Sequence, residues 1–202
     1  MSLSIPRRRL LACTLAALPL ALVLPGCTSE TKPLPFAGND ITGSRLGRDL
    51  NMVDMTGQQR TLADFKGKIL LVFFGYTQCP DICPTALAQA AQTMQLLGDQ
   101  ADEVRVIMVS VDPLRDTPEI LNTYVHAFDP SFIGLTGTPE QLEKTARSFK
   151  AYYAKEPGPT PEHYAMNHSS AFYLMDRDGE ARALLGPSLT PEDMAHDIRL
   201  LL

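Results

Sequence analysis

The 202-residue chain contains no tryptophan, four cysteines and four histidines, and fewer basic than acidic side chains, 18 against 23. Each scarcity excludes something. With a net charge of −5 and no basic run beyond Arg7–Arg9, the chain has no electrostatic footprint for nucleic acid. Of the four cysteines two, Cys13 and Cys27, fall in the first 27 residues, and the one pair that is left is not the multi-bridge framework by which small secreted folds make up for a missing core. The one long apolar run, Leu10 to Leu24, falls short of the roughly 20 residues that comfortably span a bilayer.

What is present begins with that run. It follows Arg7, Arg8 and Arg9 and ends in "LPGC", the layout of a removable export signal over residues 1–26. "LVLPGC" resembles the lipobox of bacterial lipoproteins, which implies lipid on Cys27 as the first mature residue, although Pro25 replaces the small residue usual there. "RRRLL" also permits a twin-arginine route, the Sec route being the commoner default. Removing the segment leaves 15 basic and 23 acidic residues, a net charge of −8. The 176 residues that remain suffice for one domain with a proper core. From Cys27 to about Gly47 the chain is rich in Pro, Gly, Thr and Ser without apolar periodicity and reads as a flexible tether; the domain is expected over 48–202.

Within that domain, "DLNMVDM", the turn "TGQQ" and "LADFKGK" predict a small N-terminal hairpin. "KILLVFFGY" then reads as a strand covered on both faces. A helix over 84–97, with Leu87, Ala90, Met94 and Leu97 on one stripe, leads to a second buried strand, "VRVIMVSVD". Strand, helix, strand at these lengths implies a parallel pair. Thr-Pro-Glu recurs at 117, 138, 160 and 190 and at three of these places opens an amphipathic pattern, with threonine as N-cap and proline in the first turn. The helices so predicted are Pro118–Phe128, Pro139–Tyr153 and Pro191–Leu202; between them lie a short strand in "SFIGLTG" and a hairpin turning at Asp178-Gly179. This order matches a thioredoxin-like α/β domain, a central mixed sheet with flanking helices, whose chemistry sits beyond the carboxyl ends of the parallel strands.

With Cys13 lost with the signal and Cys27 lipidated, only Cys79 and Cys83 are left for the domain, in "TQCPDICP". A loop this short constrains the unfolded chain little, so a purely structural bridge is a poor reading. Pro80 and Pro84 disfavour helix at the residues before them, making Cys83 the expected N-cap, where the peptide dipoles would lower its pKa toward the thiolate. The spacing allows two sulfurs on one ion, and equally a disulfide. His168, in "MNHSSAFYLMD" at the entrance to the last hairpin, is the expected third ligand. His163 reads as a solvated loop residue, His126 and His196 as structural or exposed. Met94, Met108, Met175 and Met194 read as core, with Met166 a weak candidate ligand. Two thiolates and an imidazole suit a soft ion, copper first and zinc second.

These motifs resemble the SCO/SenC family of copper-delivery proteins: "TQCPDICP" its cysteine motif, "SVDPLRDTP" its strand-to-helix segment, "NHSSAFYLMDRDG" its histidine motif. The resemblance runs from about Arg48 to the carboxyl end. It implies a thioredoxin-like fold and copper held by Cys79, Cys83 and His168, as copper(I) and also copper(II). It also implies delivery to the copper A centre of cytochrome c oxidase, with a copper donor and a thiol reductant as further partners and a lipid-anchored place facing the periplasm. Asn167 departs from the family by replacing an aspartate beside the histidine; Asp112, Arg115 and Asp116 match it, with only turn and helix-start duties apparent from sequence. The alternative is a thiol-disulfide oxidoreductase using Cys79 and Cys83 as a redox pair. Against it stand three rather than two intervening residues and the missing tryptophan, and a peroxidase is disfavoured by the lack of a Pro-x-x-x-Thr-x-x lead-in to either cysteine.

Overall fold

The computed structural model describes residues 33–160 and 163–202, so the signal segment, Cys27 and the start of the tether lie outside the described residues. Ten strands and four helices follow in order: β1 (Asn39–Asp40), β2 (Asn51–Val53), β3 (Gln59–Thr61), β4 (Ile69–Gly75), α1 (Ile82–Leu97), β5 (Val104–Ser110), α2 (Pro118–His126), β6 (Ile133–Leu135), α3 (Pro139–Phe149), β7 (Tyr153–Thr160), β8 (His163–His168), β9 (Phe172–Met175), β10 (Ala181–Leu185) and α4 (Pro191–Arg199). Six strands form a mixed sheet in the order β1-β10-β9-β4-β5-β6. The expected parallel pair is there, β4 on β5 in register from Ile69 opposite Val104 to Gly75 opposite Ser110, while β9 runs antiparallel on the other side of β4.

All seven residues of β4 are buried, as a central strand covered on both faces requires. Phe74, Phe149 and Tyr173 form an aromatic cluster across the sheet, their centroids 5.1 to 5.9 Å apart. Three Thr-Pro-Glu sites do start helices: the Thr117, Thr138 and Thr190 hydroxyls accept from the N–H groups of Ile120, Gln141 and Asp193. The fourth, Thr160, ends β7.

Several boundaries differ from the sequence reading: α2 ends at His126 and α4 at Arg199, two and three residues short of the expected ends. Residues 62–65, taken as part of the N-terminal hairpin, form a 3-10 turn whose start is tied by Thr61 to Asp64, so the hairpin is β2 with β3 alone. Helix α3 stops at Phe149 because Lys150 adopts a left-handed conformation, φ 53°, and Tyr153 opens a strand instead. In the proline-rich region, Tyr153–Thr160 and His163–His168 pair as a second hairpin, β7 on β8, hydrogen-bonded to each other and, among the described residues, not into the main sheet. Last, the packed domain starts before Arg48. Phe36 packs against the core, Ala37 and Gly38 donate to the buried Asp197 at 2.7 and 2.8 Å, β1 adds an edge strand, and Gly47 lies so close to Phe149 that a Cβ there would come within 2.6 Å of the ring. Residues 36–47, read as tether, therefore lie on the domain.

Candidate metal centre

The site forms where β4 and β5 end. Strand β4 delivers the chain into the loop carrying Cys79, and α1 then opens at Ile82, two residues earlier than expected, with Asp81 rather than Cys83 at its N-cap. The first helical bond runs from the Thr85 N–H to the Asp81 carbonyl, so Pro84 sits in the first turn, where its missing N–H has no partner to lose. Cys83 is thus inside the helix. Its own N–H, free for the same reason, donates to Cys79 Sγ at 3.4 Å, so it is the other cysteine that caps the helix.

The expected lowering of the Cys83 pKa does not occur. Burial pushes the thiol up, because the side chain is fully enclosed, and the neighbouring Cys79 adds to that push; desolvation outweighs the helix end. Cys79 is half-buried and neither cysteine is bridged. Gly75, the last residue of β4, makes the enclosure possible: a Cβ there would stand 2.7 Å from the Phe73 ring, 2.9 Å from Cys83 Sγ and 3.1 Å from Met108 Cε. Its sequence signal is an isolated glycine in an apolar strand, the mark of a close approach, and the sequence reading passed over it.

His168 closes β8. Its Nε2 lies 3.3 Å from Cys83 Sγ, and its Nδ1 is 2.9 Å from the Ser169 carbonyl, a contact in which Nδ1–H donates and Nε2 keeps its lone pair toward the sulfurs. Phe73 and Tyr76 meet the ring edge-on, at 5.8 and 5.9 Å between centroids, and fix its plane. Burial lowers the His168 pKa, keeping the imidazole neutral at pH 7, the state that can ligate. The two sulfurs and the imidazole nitrogen all lie within 4.8 Å of one another. Bonds of about 2.0–2.3 Å to one ion in a trigonal arrangement would place such donors about 3.7–4.0 Å apart, so closing on an ion draws the more distant donors together by up to about an ångström. The same sulfurs could instead close on each other.

The other candidates lie elsewhere. His163 is exposed and paired with Thr160, though in a strand rather than a loop; His126 contacts Asn122, and His196 contacts Asp197. Met94, Met108, Met175 and Met194 are core residues, and Met166 is half-buried against the core. Asn167 faces outward on β8 and donates to Glu156 across the hairpin. It does not contact the imidazole, and an aspartate there would face a second carboxylate.

The segment after β5 does more than turn the chain. Asp116, fully buried, accepts from Ser110 Oγ and Thr77 Oγ1, each at 2.6 Å, and from the Thr77 N–H, which fixes the start of the cysteine loop; burial raises its pKa against these bonds. Asp112 pairs with Arg115 and accepts from the Tyr164 hydroxyl at 2.8 Å. These contacts join segments far apart in sequence, which is why "SVDPLRDTP" read only as a turn.

Comparison with known proteins agrees with this geometry. Residues 39–202 match the family model SCO1/SenC. A SCO2-like protein of Rickettsia felis is 36% identical over 137 residues, covering 67% of each chain. The structure of Bradyrhizobium japonicum ScoI with copper bound superposes with a TM-score of 0.72 at 39% identity, covering 78% of this chain and 99% of that one. That of BsSco, a member of the Sco family of cytochrome c oxidase assembly proteins in which a disulfide switch was identified, gives 0.62 at 26% identity, covering 83% and 96%. With a thioredoxin-like mixed sheet, the cysteine loop and the histidine hairpin all in place, the chain belongs to the SCO1/SenC family.

Proposed function

We propose that this protein is a copper chaperone that holds one copper ion through Cys79, Cys83 and His168 and delivers it to the copper A centre of cytochrome c oxidase. One observation carries the reading: two sulfurs and a neutral imidazole nitrogen converge within 4.8 Å, with the other ring nitrogen already committed to a carbonyl. Few, soft donors favour copper(I), and the copper-bound ScoI of Bradyrhizobium japonicum is similar over most of the chain. Copper is then the cargo rather than a catalytic group, so the protein needs a copper donor, the copper-binding subunit of the oxidase as acceptor, and a thiol reductant to keep the pair open in an oxidising compartment. In this reading the domain is exported and faces the periplasm or another extracytoplasmic space, held to the membrane by lipid on Cys27. Among the described residues no helix is long and apolar enough to cross a membrane.

The second reading is thiol-disulfide exchange on the cysteines of the oxidase subunit or other exported proteins. It is favoured by a half-exposed Cys79 beside a buried Cys83 and by the disulfide switch of BsSco. His168→Ala separates the two. With the processed protein in detergent, copper(I) titrated against a competing chelator is expected to bind at least tenfold more weakly to the variant. Parent-like affinity removes His168 as a ligand, and unchanged disulfide exchange alongside it favours the second reading.

A further inference from the structure

Among the described residues, the hairpin that carries His168 is paired with no other strand. A two-stranded hairpin is marginal by itself, and the outer part of β7 is exposed from Lys155 to Thr160, so something must hold β8 against the cysteine loop. Tyr164, Met166 and His168 share the inward face of β8. Met166 rests on the core, whereas Tyr164 is gripped by two residues of another segment, Arg115 and Asp112. The Arg115 guanidinium stacks 3.6 Å from the Tyr164 ring centroid and donates to the Tyr164 carbonyl at 3.0 Å. It also pairs with Asp112, whose second oxygen takes the Tyr164 hydroxyl. The same guanidinium donates to Gln78 Oε1 at 3.0 Å, one residue before Cys79. Arg115 therefore touches both halves of the site without touching a ligand atom.

We propose that Arg115 is a positioning residue that latches the β7–β8 hairpin onto the cysteine loop through Tyr164, Asp112 and Gln78, and so sets how firmly His168 is presented to the two sulfurs. This deepens the copper reading and rests on His168 being a ligand. A planar fork that both stacks and donates in three directions is work a lysine cannot repeat, so Arg115→Lys should behave as a loss. Opening the latch would withdraw one of three ligands while leaving the sulfur pair in place, a route by which a partner that displaces Arg115 could loosen the cargo.

The test uses the processed protein in detergent in two arms. In the first, copper(I) affinity is measured by chelator competition for the parent, Arg115→Met, His168→Ala and the double variant. Arg115→Met is expected to weaken binding about tenfold or more, the usual loss for a group that orients a ligand, and to cost nothing further in the His168→Ala background. An equal loss in both backgrounds, or no loss, overturns the latch. In the second arm, alkylation of Cys83 in metal-free protein is followed by peptide mass spectrometry, because a hairpin held down shields that thiol. The rate should rise severalfold in Arg115→Met and Arg115→Lys, and by a smaller factor in the same direction in Tyr164→Phe, which removes one hydroxyl and leaves the ring. Rates equal to the parent in all three overturn the proposal. If neither parent nor variant takes up copper but alkylation accelerates, the chaperone reading fails and the latch stands.

Discussion

Gly75→Ala is the smallest perturbation that reaches the site from behind. The added methyl carbon would meet the Phe73 ring at 2.7 Å, Cys83 Sγ at 2.9 Å and Met108 Cε at 3.1 Å, where ordinary carbon contacts lie at about 3.5–4.0 Å. Each neighbour must then retreat by roughly half an ångström or more. The Met108 terminus can yield, but Phe73 is wedged between Phe172 and the His168 ring, and Cys83 is anchored in the first turn of α1. Relief therefore pushes the thiol and, through Phe73, the imidazole, and disturbs the 3.3 Å approach of sulfur to nitrogen. The cost in stability is about 1–3 kcal/mol, the range for an extra methyl in a packed core. Gly134→Ala supplies the control: the three atoms nearest its Cβ all belong to Leu121, the first at 2.7 Å, with neither cysteine nor His168 among them. Urea unfolding should show comparable losses for both variants, while copper(I) competition should show a loss of at least tenfold for Gly75→Ala alone. A folded Gly75→Ala protein that binds with parent affinity would refute the argument that this glycine exists to admit the thiol.

Two predictions concern protons. Burial keeps Cys83 protonated through the neutral range, so an ion taken by its sulfur displaces that proton and apparent affinity should rise about tenfold per pH unit from this thiol alone. Because burial sets the His168 pKa below its ordinary 6.5, the imidazole adds competition only at lower pH, and a slope under one proton per ion, corrected for the chelator, would contradict the reading. At acid pH the fold itself responds through Asp54: burial pushes its carboxyl up, but bonds from Thr56 and Arg60 prevail and hold it at about 2. That depressed value contributes stability above the unfolded pKa of about 4, roughly 2 kcal/mol, lost as the pH falls through 2. Urea midpoints across this range should decline less in Asp54→Asn, and identical declines would rule the carboxylate out.

Much of the molecule was legible before any coordinates because its signals are local. The apolar run 69–75 makes a doubly covered strand by composition alone. A threonine, a proline and an acid in sequence satisfy a helix start within one turn, which is why α2, α3 and α4 begin where the sequence places them. The cysteine pair and His168 stood out because few other residues could do soft-ligand chemistry in a chain with four histidines and two domain cysteines.

What escaped is what depends on distant partners. Strand β7 holds Pro157, Gly158 and Pro159 and lacks a strong apolar alternation, so it is pairing with β8, the packing of Met166 and the grip of Arg115 and Asp112 on Tyr164 that make the hairpin. The Cys83 pKa turns on a balance between a helix end, written locally in "CPDICPT", and enclosure by Phe73, Gly75 and Met108, which exists only in the folded chain, and enclosure prevails because removing a thiolate from water costs more than one helix terminus returns. Asp116 and Arg115 read as turn residues because their partners, Thr77 and Tyr164, lie 39 and 49 positions away. The sequence by itself determined which groups could hold the ion; the tertiary structure alone decided that they meet, since convergence is a property of packed strands and not of any one segment.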